Sequence, residues 1–214
     1  MCARLRLIYL KKKLEGLSTL VANLDAVIDN PNVAPSEQAN IIAKSDNHLK
    51  LRSAQFGFIP TWSDTTKMKY ATFNARVETV HQKPVFKDAF TKRHCLVPVA
   101  GFYEWRLEKE SKQPYLFEAN NNDLLYMAGL WSRTLIEDNP IYSFTILTTT
   151  PVEGYEQYHN RMPIILKPDN IDRWVNNDIS TETLSPVDFD YLSVKPVNSA
   201  VNNPSVKDLE LIDQ

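Results

Sequence analysis

The sequence predicts an α+β fold: one domain built on an antiparallel sheet, with a few flanking helices. Short β-branched and aromatic runs recur along the chain between turn residues, one stretch near the N-terminus carries a helical period, and no shift in composition marks a linker. With 214 residues the chain can bury a sizeable core, and residues 1–214 read as a single domain with an irregular tail after about 204.

Taken in order, residues 14–28 place apolar side chains at 14, 17, 20, 21, 24, 27 and 28, which predicts a helix ending at Asp29-Asn30-Pro31. Runs at 55–60, 95–99, 101–106, 115–117 and 142–149 predict strands. Asn120-Asn121-Asn122-Asp123 predicts a hairpin turn joining 115–119 to 124–130. Helices are expected from Pro151 to about Tyr158 and over 170–175, and Leu192-Ser193-Val194 can add a last strand. Thirteen prolines, several inside strand-like runs, predict bulged or edge strands.

Composition excludes several classes. Hydrophobic content of 43% and charged content of 23% belong to a globular chain, and two cysteines, Cys2 and Cys95, cannot build a disulfide framework. No cysteine–histidine cluster has zinc spacing, and neither a metal nor a cofactor is expected. The short run 5–10 is broken by Arg6 and followed by three lysines, so no leader is read there, and no stretch is long and apolar enough to span a bilayer. The expectation is a cytoplasmic monomer without membrane contact. A net charge of −2 means that any nucleic-acid site must be a local basic patch.

The most informative residue is Cys2. Removal of Met1 would leave a free 1,2-aminothiol, a group that closes a five-membered thiazolidine on an aldehyde. Its α-amine, with a pKa near ~7.8 against ~10.4 for lysine, is roughly one-third neutral at pH 7.4. A cysteine at position 2 can equally be incidental, so other residues must supply a site. Asn74, Arg76 and Glu78 share one face if extended, as a site or as a solvated face. Glu104 sits among Phe102, Tyr103 and Trp105, where a desolvated carboxyl trades protons near neutrality; an exposed surface glutamate is the alternative. His159, Asn160 and Arg161 combine an imidazole, an amide and a guanidinium, or else a structural histidine. Asn32 to Ser36 is a polar turn whose Pro35 can stack on a planar partner, or an ordinary loop. Cys95, in an apolar run, reads as an inert core thiol.

Together these segments resemble the SOS-response-associated peptidase family, the abasic-site processing proteins. The resemblance rests on Cys2-x-Arg4, Asn32-x-Ala34-Pro35, Gly57-x-x-Pro60-x-Trp62, Asn74-Ala75-Arg76-x-Glu78-Thr79 and Cys95-Leu96-Val97-Pro98. It continues through Gly101-Phe102-Tyr103-Glu104-Trp105, Ala128-Gly129-Leu130-Trp131, His159-x-Arg161-Met162-Pro163 and Val201-Asn202-Asn203. Order and approximate spacing hold from residue 2 to about 203. The resemblance implies a barrel-like antiparallel sheet and covalent capture of abasic sites in single-stranded DNA. Cys2 would be the nucleophile, Glu104 the general acid/base, His159 the proton donor to the sugar oxygen and Asn74 the group that positions Cys2. Arg4, Arg76 and Arg161 would bind flanking phosphates, Pro35 and Trp62 would support a kinked strand, and Thr148 would lie near the sugar. Two positions depart from the pattern: Ala3 stands where glycine is usual, and Ser63 where some relatives carry a second aromatic. Two other activities stay open: a cysteine peptidase using Cys2, His159 and Asn74, with removal of its own N-terminus as its minimal form, and a non-catalytic single-strand binding module.

Overall fold

The computed structural model describes residues 2–15, 21–22, 27–45, 48–180 and 184–214. In chain order the elements are β1 (Leu5–Leu7), α1 (Leu10–Glu15), β2 (Val21–Ala22), β3 (Asn30–Val33), β4 (Gln38–Ser45), β5 (His48–Phe56) and β6 (Asn74–Arg76). They continue with α2 (Lys87–Lys92), β7 (His94–Val99), β8 (Gly101–Glu108), β9 (Ser111–Ala119), β10 (Leu125–Ile136), β11 (Asn139–Thr149) and β12 (Met162–Pro163). The last are α3 (Pro168–Val175), β13 (Leu192–Pro196) and α4 (Leu209–Asp213).

Five strands close a barrel in the order β11-β10-β7-β4-β5, antiparallel except where β5 returns to β11. That closing contact is parallel and short, pairing Gln55 with Ser143 and Phe56 with Phe144. The two phenylalanine rings stack there at 5.1 Å, so an aromatic contact reinforces the seam. Beyond it β6 runs parallel to the same strand, placing Asn74 beside Ile146 and Arg76 beside Thr148. A second sheet, β13-β9-β8-β1-β3, carries the N-terminal strand. The chain passes from barrel to second sheet at Ala100, where β7 runs directly into β8. Gly101 makes this corner possible: a Cβ there would lie 2.6 Å from the Phe117 carbonyl oxygen.

The strands at 95–99, 101–106, 115–117, 142–149 and 192–194 form as predicted, and α3 covers the expected 170–175. The prolines also sit as predicted. Pro98 lies past the end of the β4 pairing, where β7 is paired on one side only, and Pro114 sits just past the end of β13, where its carbonyl still accepts from the Val197 N–H at 3.0 Å.

Four expectations are corrected. The helix over 14–28 does not run on as expected in its described part: α1 ends at Glu15, and Val21–Ala22 pair with Leu49 and Lys50 of β5. Strand pairing outweighs the helical period there; positions 16–20 and 23–26 lie outside the described residues. The strand at 55–60 stops at Phe56, because Gly57 turns away at φ +137°. Ile59 leaves the ladder, and hydroxyls take over its backbone: its N–H donates to Ser143 Oγ at 2.8 Å, and its carbonyl accepts from Thr134 and Ser132. The helix at 151–158 is a series of turns, broken by Gly154 at φ +88°. A Cβ on Gly154 would also strike the Phe189 ring at 2.8 Å. Finally, residues 120–123 do turn, but not as a hairpin. β9 pairs with β8 and β13, whereas β10 pairs with β7 and β11, so the turn carries the chain from the second sheet back into the barrel.

Candidate active site

Strand alternation divides the aromatic motif of β8 between two faces. Tyr103 points into a small cluster with Leu116, Val197, Val201 and Ile212. Phe102 and Glu104 point the other way, into the main core, where Phe102 stacks on Phe117 at 4.9 Å. Glu104 is therefore a buried carboxyl. Burial pushes its pKa up to about 7, against the pull of the positive amino terminus and a backbone hydrogen bond at Trp105. A group balanced this way can both take and give a proton at neutral pH.

The N-terminal residues lead into β1, which is clamped between β3 and β8. Cys2 is fully buried, and Asn74 holds its backbone: Nδ2 donates to the Cys2 carbonyl at 2.8 Å and to the Phe73 carbonyl at 2.7 Å. Asn74 Oδ1 is buried and accepts no hydrogen bond among the described residues. Burial and the Glu104 charge raise the Cys2 thiol well above its ordinary value, so it is a neutral thiol in this state. Ala3 does not have a positive φ, so alanine meets no left-handed backbone strain at that position.

Beside Cys2 a cavity of about 410 Å³ is lined by Ala3, Glu104, Trp105, Lys112, His159 and Asn202. His159 follows the turns at 153–158, and its Nδ1 lies 3.0 Å from the Arg161 backbone N and 3.1 Å from the Arg161 carbonyl, accepting from the one or donating to the other according to its tautomer. Partial burial and the positive amino terminus lower its pKa. The chemical result is a pocket holding one carboxyl near its midpoint and one neutral imidazole, next to the start of the chain.

The structure brings Cys2, Asn74, Glu104 and His159 together. The remaining sequence-predicted residues lie differently. Thr148 is buried, its hydroxyl reaching the Ala75 carbonyl at 3.4 Å. Arg4 is half-buried and engaged: Nη1 donates to Asn32 Oδ1 at 2.8 Å and to the Val201 carbonyl at 2.5 Å, with the guanidinium over Trp105. Arg161 forms a two-pronged pair with Glu78 at 2.7 and 2.8 Å and also donates to the Thr148 carbonyl. Arg76 is exposed on the β6 face it shares with Asn74; Glu78 lies beyond the strand, in a turn. Pro35 is half-exposed in its turn, and Trp62 is exposed with no ring contact among the described residues.

Sequence reasoning did not single out Lys112 or Asn202 as pocket residues, although Asn202 sits in the closing motif and receives the Trp105 indole N–H at 2.7 Å. It also missed the clasp made by Asn32, whose Nδ2 reaches the carbonyls of Val201, Asn203 and Val206 and so holds the chain end against the pocket. A buried asparagine in a quoted motif was the available signal for that clasp.

The barrel and the second sheet form a fold known from solved structures. A protein from Bordetella bronchiseptica superposes with a TM-score of 0.79 over 92% of this chain and 100% of its own, at 24% identity, which establishes the fold. Residues 1–204 match the family profile described as SOS response associated peptidase (SRAP), and the chain belongs to that family. The abasic site processing protein YoqW of Bacillus subtilis (strain 168) is 36% identical over 189 residues, covering 85% of this chain and 84% of the relative. The abasic site processing protein YedK of Escherichia coli (strain K12) is 29% identical over 187 residues, covering 85% and 82%.

Proposed function

We propose that this protein processes abasic sites in single-stranded DNA by forming a covalent thiazolidine through Cys2 once Met1 is removed. The observation that carries this reading is the buried Glu104 carboxyl, near pH 7 at its midpoint, opening with His159 into a pocket beside Cys2. Membership of the family, with relatives named as abasic site processing proteins, supports the substrate class.

The thiol is neutral in its buried state whereas an α-amine is partly free base at pH 7, so the amine attacks first. It adds to the sugar C1 aldehyde, and the carbinolamine loses water to give an imine. The Cys2 sulfur then adds to the imine carbon while its proton passes to the nitrogen, closing the five-membered ring with a net loss of one water. Glu104 takes the amine proton and returns it to the departing hydroxyl; His159 protonates the sugar ring oxygen as the sugar opens. Asn74 fixes the Cys2 backbone so that both of its nucleophiles meet the same carbon. Residues 1–214 act as one domain and as a monomer, in the cytoplasm.

The peptidase arrangement has less support. The Asn74 amide is spent on the Cys2 and Phe73 carbonyls and His159 Nδ1 on Arg161, so these three side chains are not linked as nucleophile, base and orienter.

Intact mass is the direct test. The processed chain, incubated with a single strand carrying one abasic site, is expected to give a heat-stable adduct one water lighter than the sum of its parts. Cys2→Ala is expected to give none. A processed parent chain without adduct, or an equal adduct from Cys2→Ala, would overturn the proposal.

A further inference from the structure

Two of the three arginines expected to bind phosphates are already engaged inside the protein, Arg4 with Asn32 and Val201 and Arg161 with Glu78 and Thr148, which leaves Arg76 exposed on β6. Freeing Arg161 for a phosphate would break a bidentate charged pair, the stronger kind of hydrogen-bonded contact. Further accessible cations lie in the loop that precedes β6. Between β5 and β6 the chain makes a long loop, 57–73, its ends pinned by the Phe58 N–H to the Thr72 carbonyl at 3.3 Å. The loop returns at Phe73, directly before Asn74 and hence at the reaction site.

Against this loop the turn at Pro35 and Ser36 forms a groove of about 630 Å³, the size range of ligand pockets. Its lining includes Lys67, Lys69 and Tyr70 and contains no carboxylate among the described residues; Asp64, the acidic residue of the loop, is not part of it. Tyr70 is 73% exposed, with the Lys69 ammonium 5.5 Å from its ring centroid. An exposed aromatic beside two cations, on a chain of net charge −2, is the arrangement that stacks a base and neutralises its phosphates.

We infer that this groove binds a nucleotide of the single strand flanking the abasic position, with its base against Tyr70 and its phosphates on Lys67 and Lys69; the inference rests on the single-stranded substrate proposed above. The groove is a binding subsite separate from the reacting pocket. It extends the contact along the strand, and its lysines supply charge that Arg4 and Arg161 spend internally.

The test uses the full processed chain and single strands bearing a tetrahydrofuran abasic analogue, which has no aldehyde, so that affinity is read without crosslinking. Lys67→Ala/Lys69→Ala is expected to weaken binding roughly tenfold and to lower the salt dependence by about 0.7 per lysine. Tyr70→Ala is expected to weaken it at least about fivefold with the salt dependence unchanged. Both effects should vanish on a strand that ends at the lesion. Because all three side chains are exposed, melting temperatures should match the parent. Variants that bind the long strand as the parent does, or that lose affinity equally for the truncated strand, would overturn the inference. The covalent reading fails separately, if the parent forms no adduct on a natural abasic strand.

Discussion

The two cysteines are equally buried and differ in almost everything else. Cys95 lies in β7 between Ala43 of β4 and Gly129 of β10, its carbonyl taken by the Trp174 indole at 2.9 Å. Nothing but burial acts on its thiol, which is pushed far up and stays protonated. The surroundings of Cys2 are charged: burial and Glu104 raise its thiol, while the amino terminus and a backbone hydrogen bond at Arg4 lower it. Burial alone sets the protonation of the Cys95 thiol, whereas that of the Cys2 thiol is tied to a titrating carboxyl and to the amino terminus as well. In this fold the barrel supplies the first environment, and the margin between barrel and second sheet supplies the second.

Glu104 is the sharpest place to break that contrast. Glu104→Gln keeps the shape and removes the proton acceptor, so crosslinking is expected to slow by roughly 10²–10³-fold while single-strand affinity stays nearly unchanged. Stability responds in a defined direction. The folded carboxyl titrates near 7 against an ordinary 4.5, so between those values the folded chain holds more protons than the unfolded one. Stability is therefore lost as pH rises through this window, by at most about 3 kcal/mol. The glutamine variant has no such dependence, so the melting curves of parent and variant should separate between pH 5 and pH 8. Parallel curves would mean that the carboxyl is not raised, and an unchanged crosslinking rate would remove Glu104 from the chemistry.

At the other cysteine the effect should be structural. Cys95→Ser buries a hydroxyl against Val97 and Gly129, where a Cβ on the glycine would already approach the sulfur to 3.0 Å. The expected cost is about 1–3 kcal/mol, seen in denaturant unfolding, with crosslinking unchanged. Loss of crosslinking at unchanged stability would show that Cys95, too, takes part in the reaction.

Sequence was most informative where a short motif and strand alternation act together. Gly101-Phe102-Tyr103-Glu104-Trp105 determined which side chain faced the core and which the second cluster, and Pro98 marked the singly bonded end of its strand. Barrel closure was not legible, because it depends on a two-residue parallel contact between β5 and β11, distant in sequence and without a periodic signal. The state of the arginines was equally hidden. Arg4, Arg76 and Arg161 look alike in a motif, but whether a guanidinium is free depends on Val201 and Glu78, partners that only the folded chain brings near. Lys67, Lys69 and Tyr70 belong to no quoted motif; their grouping becomes visible only when the loop folds back on Pro35.

Tyr155 gives the finest test of how polar groups behave in the core behind Cys2. Its ring packs against Phe117 at 5.1 Å and near Phe102, and its hydroxyl is fully buried without a hydrogen-bond partner among the described residues. Burial raises the phenol well above its ordinary range, and the charges of Glu104 and Cys2 push the same way. An unpaired buried hydroxyl destabilises a fold by about 1–3 kcal/mol relative to a paired one, so Tyr155→Phe removes a penalty and keeps the ring. The variant is expected to melt at the parent temperature or slightly above it, with crosslinking within about twofold. A clear loss of stability would mean that the hydroxyl has a partner in solution. A slower reaction at unchanged stability would mean that the phenol helps to hold charge at Cys2, and the contrast with Cys95 would then extend one residue further into the core.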